Sequence, residues 1–493
     1  MSPLNERWLL LGITLLAAYL RLRTIGVESL WHDEVFTVIY TSSRALSELW
    51  LQPSDPTPPL YYTLHKLLVG YSESAAKVRA VSALAGIASI PVIYGLGRSL
   101  AGSKAGISAA LFLAVSGPHI QYSQEARAYA VLFLLILGSA YGLTEMLRRW
   151  DTPEIVNWRA QVVFLGLSVA AVYTHYTALL WLYAAQLVLL FASTTATNPR
   201  RRTMQWAIGA VWSLIALLPA YWMILKAAGQ FQHLSSIGLA DMLATLRHMA
   251  FVREPWSGDW LGETLLVAAL MAGTAIALRQ RTTVLVLAVF IIFPIALWAA
   301  QIFKPVFMFR TALPFLVVPL LLLALATASL PMCVRWLSAG AIAAVLLTSH
   351  LAFERSGRQQ QDWTEAARVL KLNSRAGDVI ILCAFFDFRT IRFHSDDGST
   401  VPFVGIFRAD TALLFPAPAE EKRSWFSYKL TEMPTASPDE VRTGQAPGSR
   451  AWVIESNCTV EHRRQMDGFV KALGIEQQLF WEGNGVTIGV SNF

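Results

Sequence analysis

Long apolar runs, separated by short polar or basic patches, make up most of the first 355 residues of the chain. Each run approaches the roughly 20 residues that an α-helix needs to cross the hydrocarbon core of a membrane. A span-length window predicts about eleven transmembrane helices. These predicted spans are residues 8–22, 78–100, 105–116, 128–147, 162–173, 178–192, 206–225, 261–278, 284–300, 312–328 and 336–353. The pattern is that of a polytopic α-helical membrane protein.

Composition excludes a soluble protein. Hydrophobic residues make up 55% of the 493 positions and charged residues only 15%, more apolar surface than a water-soluble fold can bury. The formal net charge of +7 does not indicate nucleic-acid binding, because most arginines of the apolar part lie in short loops between predicted spans. The three cysteines lack the spacing of a metal site or a disulfide framework.

The basic residues predict the orientation of the chain in the membrane. They fall in alternate loops, which should face the cytoplasm, whereas the loops at residues 24–77, 117–127 and 301–310 should face outward. A cytoplasmic amino terminus and an odd number of spans then place the carboxy-terminal tail outside. We therefore predict a multi-pass protein of the inner or plasma membrane with an extracytoplasmic tail.

The tail after the last predicted span has ordinary globular composition and predicts a small α/β domain. Its pattern favours helices at residues 362–372 and 459–473, strands at 378–384 and 451–455, and a hairpin formed by 478–481 and 486–490. Residues 416–449 are rich in Pro, Ser and Thr and should form a surface loop. The predicted architecture is a membrane domain over residues 1–355 and a soluble extracytoplasmic domain over residues 356–493.

The strongest candidate for chemistry is the acidic pair Asp33 and Glu34, which follows the first predicted span in the motif Trp31-His32-Asp33-Glu34. One carboxylate could take a proton from an acceptor hydroxyl while the other orients it. Asp33 is also a candidate ligand for a divalent cation such as Mg²⁺ or Mn²⁺ that carries phosphate. The alternative is a solvated pair of loop acids, which avoids the cost of placing a carboxylate in the bilayer.

A second polar cluster, Gln121 to Tyr129, lies at the mouth of a predicted span on the same outward face. Glu125 is a candidate catalytic residue there, and Arg127 is a candidate substrate-binding residue. The alternative treats Glu125 and Arg127 as interfacial anchors and the tyrosines Tyr122 and Tyr129 as members of an aromatic belt.

Between these clusters, the proline-rich segment at residues 55–62 predicts a rigid, non-helical loop of the kind that can cradle a substrate. Tyr61 and Tyr62 in this segment are candidate binding residues. His65 could face the same site, but a histidine satisfied by its own surroundings is the competing interpretation.

Taken together, these segments resemble the GT-C superfamily of membrane glycosyltransferases, in particular the protein O-mannosyltransferases and the aminoarabinose transferase that modifies lipid A. The resemblance rests on the order of several short motifs along the chain. They are the acidic pair after the first span, Pro58-Pro59-Leu60-Tyr61-Tyr62, Val78-Arg79-Ala80-Val81-Ser82, Tyr122-Ser123-Gln124-Glu125-Ala126-Arg127, Tyr173-Thr174-His175-Tyr176 and Phe309-Arg310-Thr311-Ala312-Leu313-Pro314-Phe315.

The resemblance implies an inverting sugar transfer from a polyprenyl-phosphate donor, with Asp33 as the acidic residue of the first outer loop. It implies that Arg310 meets the carrier phosphate, that Lys304 assists, and that His175 and Tyr176 contribute to substrate binding. The chain departs from the aminoarabinose transferase in having Tyr129 where that enzyme has an acid, and in having fewer spans. Its tail lacks the β-trefoil pattern of eukaryotic mannosyltransferases.

The sequence therefore predicts a glycosyltransferase that uses a lipid-linked donor and a lipid, glycan or protein acceptor at the outer membrane face. We expect Asp33, Glu125 and Arg310 to meet in one pocket that opens to lipid. A transporter or flippase of lipid-linked sugars is the main alternative, although such proteins usually carry key charges in mid-helix and contain internal repeats. A structural or assembly subunit that has no catalytic activity is the third interpretation.

Overall fold

The computed structural model describes residues 3–51, 57–150, 157–227, 237–251, 260–303, 306–355, 361–375, 378–382, 390–391, 393–394, 403–405, 448–456, 460–483 and 486–492. The chain divides into two compact units. The first unit comprises residues 1–24, 50–64 and 79–356, and the second comprises residues 25–49, 65–78 and 357–493.

Helices account for nearly all of the regular structure up to residue 355. They are α1 (Pro3–Leu22), α2 (His32–Ser43), α3 (Leu46–Leu51), α4 (Pro59–Leu68), α5 (Ala75–Val78), α6 (Ala80–Ala101), α7 (Ser103–Val115), α8 (Gly117–Ser123), α9 (Tyr129–Leu147), α10 (Trp158–Thr174), α11 (Ala178–Thr194), α12 (Pro199–Ala216), α13 (Leu218–Ala227), α14 (Leu239–Phe251), α15 (Trp260–Ala277), α16 (Arg281–Ala299), α17 (Val317–Ala328) and α18 (Met332–Arg355). Short 3₁₀ helices occupy Ala300–Ile302 and Leu313–Leu316. Every predicted span coincides with helix.

Several of these helices are apolar enough for a multi-pass membrane protein. Within the described residues, four helices have the length and composition to cross a membrane, namely α6, α9, α18 and the stretch from α16 to Ile302, and the bent pair α12 and α13 would be a fifth. Further apolar helices, including α7, α10 and α11, are shorter. The count of about eleven spans stays a prediction.

The bend between α12 and α13 has a local cause. The two helices meet at an angle of 46° around Leu217, two residues before Pro219. Proline has no amide hydrogen for the helical bond to the carbonyl four residues earlier, and its ring clashes with that carbonyl. The window that predicted one span at residues 206–225 could not detect this break, because Pro219 does not interrupt the apolar run.

Small residues allow the helices of the first unit to approach closely. A Cβ atom added to Gly142 of α9 would lie 2.7 Å from the backbone nitrogen of Phe164 in α10. A Cβ atom on Gly106 of α7 would lie 2.6 Å from the carbonyl oxygen of Tyr94 in α6. Buried hydroxyls add polar contacts between α9 and α10, where Ser139 Oγ lies 2.7 Å from Ser168 Oγ. Such contacts hold helices together where lipid offers no hydrophobic gain.

Residues 24–77 contain more helix than predicted. The expectation of a non-helical loop at residues 55–62 is wrong from Pro59 onward, because Pro59 is the first residue of α4 and both Tyr61 and Tyr62 are helical. Proline is tolerated at this position, since the first amides of a helix have no intrahelical partner. The segment at residues 52–56 lies outside the described residues.

The second unit contains one five-stranded sheet in the order β2-β1-β3-β5-β4. Its elements are α19 (Trp363–Asn373), β1 (Val379–Leu382), β2 (Phe403–Gly405), β3 (Arg450–Glu455), α20 (Val460–Leu473), β4 (Gln478–Gly483) and β5 (Val486–Asn492). Strand β1 is parallel to β2 and β3, whereas β5 is antiparallel to β3 and β4. Most elements expected from the sequence are present, including the closing hairpin; residues 416–447 of the expected loop lie outside the described residues. That residues 356–493 form a separate extracytoplasmic domain stays a prediction.

Alternation along the strands explains why both faces of the sheet are covered. Ile380 and Trp452 belong to the apolar core that includes Trp363 of α19. Their chain neighbours Ile381 and Val453 belong to the core on the opposite face, which includes residues of α20. Successive strand residues point to opposite faces, so an uninterrupted apolar strand requires a partner on each side.

A buried carboxylate ties the strands to the loops at one end of this sheet. Asp378 accepts hydrogen bonds from the Trp452 indole at 2.9 Å, from the Arg450 amide at 3.0 Å and from the Arg375 amide at 2.9 Å. Burial alone would raise the pKa of Asp378, but the hydrogen bonds from these groups outweigh it and hold the pKa below its ordinary value. Asp378 therefore remains ionised and anchors the start of β1.

The close approach of α9 and α10 generates the first prediction. Gly142→Ala should lower the free energy of unfolding by about 1–3 kcal/mol, because its methyl group would overlap the α10 backbone. Gly166→Ala in α10 is the matched control, since a Cβ there meets nothing within 4 Å. Thermal unfolding in detergent measures both. Equal midpoints for the two variants would contradict the close packing.

Candidate functional site

The segment between α8 and α9 connects three predicted binding residues. Arg127 Nη1 donates to the Tyr62 hydroxyl at 3.3 Å, and the Arg127 carbonyl accepts from Ser82 Oγ at 3.1 Å. Because Ser82 donates to that carbonyl, its oxygen accepts from the Tyr61 hydroxyl, 3.2 Å away. The start of α6 and the start of α4 thus fix the position of Arg127.

Arg310 lies in the loop that precedes the Leu313–Leu316 turn. Buried Thr311 holds this loop, since its hydroxyl accepts the Met308 amide at 2.9 Å. The Arg310 guanidinium carbon lies 5.5 Å from the centroid of the Tyr129 ring, within the range of a cation–π contact. The Tyr129 ring in turn lies 5.8 Å from the His175 ring.

Two further aromatic rings extend this arrangement. Tyr122 lies 5.7 Å from Tyr129 and 6.0 Å from Phe309, measured between ring centroids. We refer to Arg127, Arg310, Tyr62, Tyr129 and His175 as the guanidinium cluster. Four segments that are distant in sequence contribute to it, because Arg127 and Tyr129 are near neighbours in the chain. The cluster contains half of the binding residues predicted from the sequence.

Both arginines of the guanidinium cluster act electrostatically on His175. It lies in the turn between α10 and α11, outside both helices, where its Nδ1 is 2.8 Å from Thr177 Oγ1. Burial, and then the positive charges of Arg127 and Arg310, lower the pKa of His175 to about 3. The imidazole is therefore neutral at neutral pH. Both guanidinium groups act on the same small region, which favours an anion there.

The acidic motif occupies the first turn of α2. Glu34 is fully buried, and its Oε2 accepts the Trp31 amide at 3.4 Å, so this carboxylate caps the helix. Asp33 is about one-fifth exposed, and its Oδ1 lies 3.4 Å from His32 Nε2. The two acids therefore have different environments, and Asp33 is the one that solvent or a substrate can reach.

Comparison with known proteins identifies the fold of this chain. No family model and no curated protein matches the sequence. Among solved structures, ArnT from Cupriavidus metallidurans superposes with a TM-score of 0.62 in its apo state and 0.60 bound to undecaprenyl phosphate, each at 14% identity over 99% of this chain and 98% of ArnT. The archaeal oligosaccharyltransferase AglB from Archaeoglobus fulgidus, in complex with an inhibitory peptide and a dolichol-phosphate, gives 0.53 at 14% identity over 100% and 75%. The chain has the GT-C fold.

The resemblance predicted from the sequence motifs is thus confirmed at the level of the fold. Asp33 and Glu34 belong to the second compact unit of this GT-C chain, and Glu125 and Arg310 belong to the first. The convergence of Asp33, Glu125 and Arg310 stays a prediction. Glu125 is buried, and its carbonyl accepts the Arg127 amide at 2.7 Å. Tyr176 is half-buried, and Lys304 lies outside the described residues.

The surroundings of His65 favour a structural role for this residue over a role in substrate binding. Its side chain is fully buried in the second unit, and its Nδ1 lies 3.1 Å from Thr41 Oγ1. Burial lowers the pKa of His65 to about 4, partly offset by a hydrogen bond to the Val78 carbonyl. A neutral imidazole between Thr41 and Val78 therefore joins His65 to α2 within this unit.

Sequence reasoning missed a buried arginine at the end of the first helix. Arg21 in the last turn of α1 is fully buried and donates to the Ala114 carbonyl at 3.0 Å and the Leu113 carbonyl at 3.1 Å. Its Nη2 also lies 2.6 Å from His119 Nδ1. Gln124 donates to the Arg21 carbonyl at 2.9 Å, which fixes the segment leading to Arg127. An arginine inside an apolar run was the available signal.

The described residues offer no ready set of protein ligands for a divalent cation. Within the part of the chain that the structure describes, no group of three or more His, Cys, Asp or Glu side chains could hold a metal ion. Asp33 remains the predicted ligand from carboxylate chemistry, but the described neighbours do not complete a site. No catalytic step is therefore assigned to a cation in this GT-C chain.

The low pKa of His65 generates a pH prediction. Between about pH 6.5 and 4 the unfolded chain binds a proton that the folded state excludes, so stability falls as the pH falls through this range. The contribution lost is about 3 kcal/mol. His65→Gln should remove the part of this pH dependence that His65 contributes and so reduce the difference in thermal midpoint in detergent between pH 7 and pH 4.5. The same difference in both proteins would contradict the assignment.

Proposed function

We propose that this protein is a glycosyltransferase that transfers a sugar from a polyprenyl-phosphate carrier to an acceptor at the outer face of the membrane. The observation that carries the proposal is the guanidinium cluster in a chain with the GT-C fold. Neighbours with this fold have been solved with undecaprenyl phosphate and with a dolichol-phosphate. A lipid phosphate is the ligand in these neighbours, and its anionic phosphate is the kind of group that the guanidinium cluster suits.

The chemistry of the cluster suits such a donor. Guanidinium groups bind phosphate through charge-assisted and often paired hydrogen bonds, and their attraction to phosphate is strong where water is excluded. The tyrosine rings around Arg310 restrict its orientation and supply a surface for the sugar or the first isoprene units. We assign the carrier phosphate to Arg310 and Arg127, with Lys304 assisting, and the rest of the donor to Tyr61, Tyr62, His175 and Tyr176.

We assign the proton transfer to Asp33. The acceptor hydroxyl oxygen attacks the anomeric carbon, the bond from that carbon to the phosphate oxygen breaks, and the polyprenyl phosphate leaves with the electron pair. The hydroxyl proton passes to the Asp33 carboxylate. Attack opposite the leaving phosphate inverts the anomeric centre. Phosphate needs little acid assistance as a leaving group, so positive charge on its oxygens is the main help it requires.

Glu34 and Glu125 have supporting roles in this proposal. Glu34 caps α2 through the Trp31 amide, and we assign it the role of holding the turn that carries Asp33. Glu125 precedes Arg127 in the outer segment between α8 and α9. We place the acidic motif and the cluster at the outer face of an inner or plasma membrane, with about eleven spans and a cytoplasmic amino terminus.

One assay separates this proposal from the alternatives. Radiolabelled sugar transfer from a synthetic polyprenyl-phosphate donor in reconstituted vesicles yields labelled product only if the protein is a transferase. A flippase would instead move the labelled donor to the protected leaflet without forming product. A scaffold would do neither.

Replacement of the proposed base should abolish transfer. Asp33→Asn keeps the shape of the side chain but cannot accept the proton, so the rate of sugar transfer should fall by about 10²–10⁴-fold. Glu73→Gln is the matched control, because Glu73 is an exposed acid of the same unit and outside the motif. Initial rates in vesicles measure both variants, with unchanged thermal unfolding as the test of folding. Near-normal transfer by Asp33→Asn would remove Asp33 from the mechanism.

Replacement of the proposed phosphate ligand should weaken donor use. Arg310→Ala should raise the KM for the lipid donor by about ten- to hundredfold, because a charge-assisted hydrogen bond is lost. Arg310→Lys should recover part of this loss, since lysine keeps the charge but not the planar fork. Arg279→Ala, an exposed arginine outside the cluster, is the control. A donor KM unchanged in Arg310→Ala would argue against phosphate binding at this residue.

A further inference from the structure

A histidine of the carboxy-terminal region contacts the chain just before the acidic motif. His394 Nε2 lies 2.8 Å from the carbonyl oxygen of Leu30, and both residues belong to the second compact unit. On the other side of the ring, Nδ1 lies 3.3 Å from Thr364 Oγ1 at the start of α19. The negative charges of Asp362 and Glu34 also act on this imidazole. His394 therefore lies close to the turn that carries Asp33.

These contacts define the state of the imidazole. A carbonyl oxygen can only accept, so Nε2 carries the hydrogen and donates it to Leu30. A neutral ring then has a lone pair on Nδ1, which accepts the Thr364 hydroxyl. One neutral tautomer satisfies both neighbours, and His394 links the start of α19 to residue 30.

A second contact holds the preceding residue. Ser29 Oγ donates to the Gln361 carbonyl at 2.7 Å. The Gln361 side chain is itself fixed, because its amide nitrogen donates to Ser456 Oγ at 2.6 Å and its oxygen accepts the Trp363 indole at 2.6 Å. Gln361 is only 5% exposed. Ser29 is thus attached to a rigid part of the carboxy-terminal region, at the end of β3 and the start of α19.

The two contacts hold the residues that immediately precede α2, and the path of these residues sets the direction in which α2 begins. Ser29 and Leu30 immediately precede Trp31, the residue that begins the helix in an extended conformation with φ −88° and ψ 171°. Asp33 lies two residues later, in the first helical turn. A change in the path of residues 29 and 30 would therefore turn the first helical turn and displace the Asp33 carboxylate.

We propose that His394 is a positioning residue, which acts with Gln361 to hold the acidic motif in the orientation that transfer requires. The carboxy-terminal region would then contribute to catalysis. This inference rests on the proposed role of Asp33. Loss of a positioning residue should lower kcat more than it raises the donor KM, because a small displacement of a catalytic group slows the chemical step.

The experiment combines kinetics with hydrogen exchange on the full-length protein. His394→Ala removes the donor to Leu30, whereas His394→Gln keeps an N–H donor of similar reach. Arg368→Gln is the control, because Arg368 is an exposed residue of α19 whose partner is Glu365. Each variant is assayed for kcat and donor KM in vesicles, and for deuterium uptake of the peptide that covers residues 29–36.

We expect His394→Ala to lower kcat by about ten- to hundredfold with a donor KM within about twofold of wild type, and to increase uptake in residues 29–36. His394→Gln and Arg368→Gln should resemble wild type in both measurements. Unchanged uptake in His394→Ala, or increased uptake with full kcat, would overturn the inference. If wild-type protein shows no transfer, the proposed function fails, and the inference fails with it even where uptake shows that His394 orders the segment.

Discussion

A backbone that crosses lipid must satisfy its own hydrogen bonds, and the rest of this structure depends on that constraint. The apolar runs have no alternative to helix, so they form rods whose side chains face lipid or one another. Close packing then requires small residues where the rods cross, as at Gly142 and Gly106. Polar chemistry is left to the ends of the rods and the segments between them, which is where the guanidinium cluster and the acidic motif occur.

The buried Arg21 shows how this constraint reaches the candidate site. The Arg21 guanidinium donates through Nη1 and Nη2 to carbonyls at the end of α7, and its Nη2 also contacts His119. The backbone at Arg21 in turn accepts from Gln124, three residues before Arg127. Positive charge can therefore be retained near the membrane surface because the ends of helices supply carbonyl dipoles. The Arg21 carbonyl at the end of α1 fixes the segment from which Arg127 extends.

The acidic motif is supported in a different way, by contacts from a region that contains a β-sheet with helices packed on it. Its turn is capped by Glu34 and held from outside by Gln361 and His394, which belong to a region built around a sheet with two apolar faces. The two residues before Trp31 are thus held by contacts from the carboxy-terminal region. These contacts are the basis for the positioning role proposed for His394.

The sequence by itself determined the class of protein, the helical segments of the membrane part, the main strands of the sheet, and the residue types of the cluster, because hydrophobic period and charge are local properties. It also led to the GT-C fold through the order of short motifs. Only the tertiary structure decided that Tyr62, Arg127, Tyr129, His175 and Arg310 lie together, that Glu34 is a cap and that His65 is internal. Those facts depend on contacts between residues far apart in the chain, and pairing over such distances leaves no periodic trace in a single sequence.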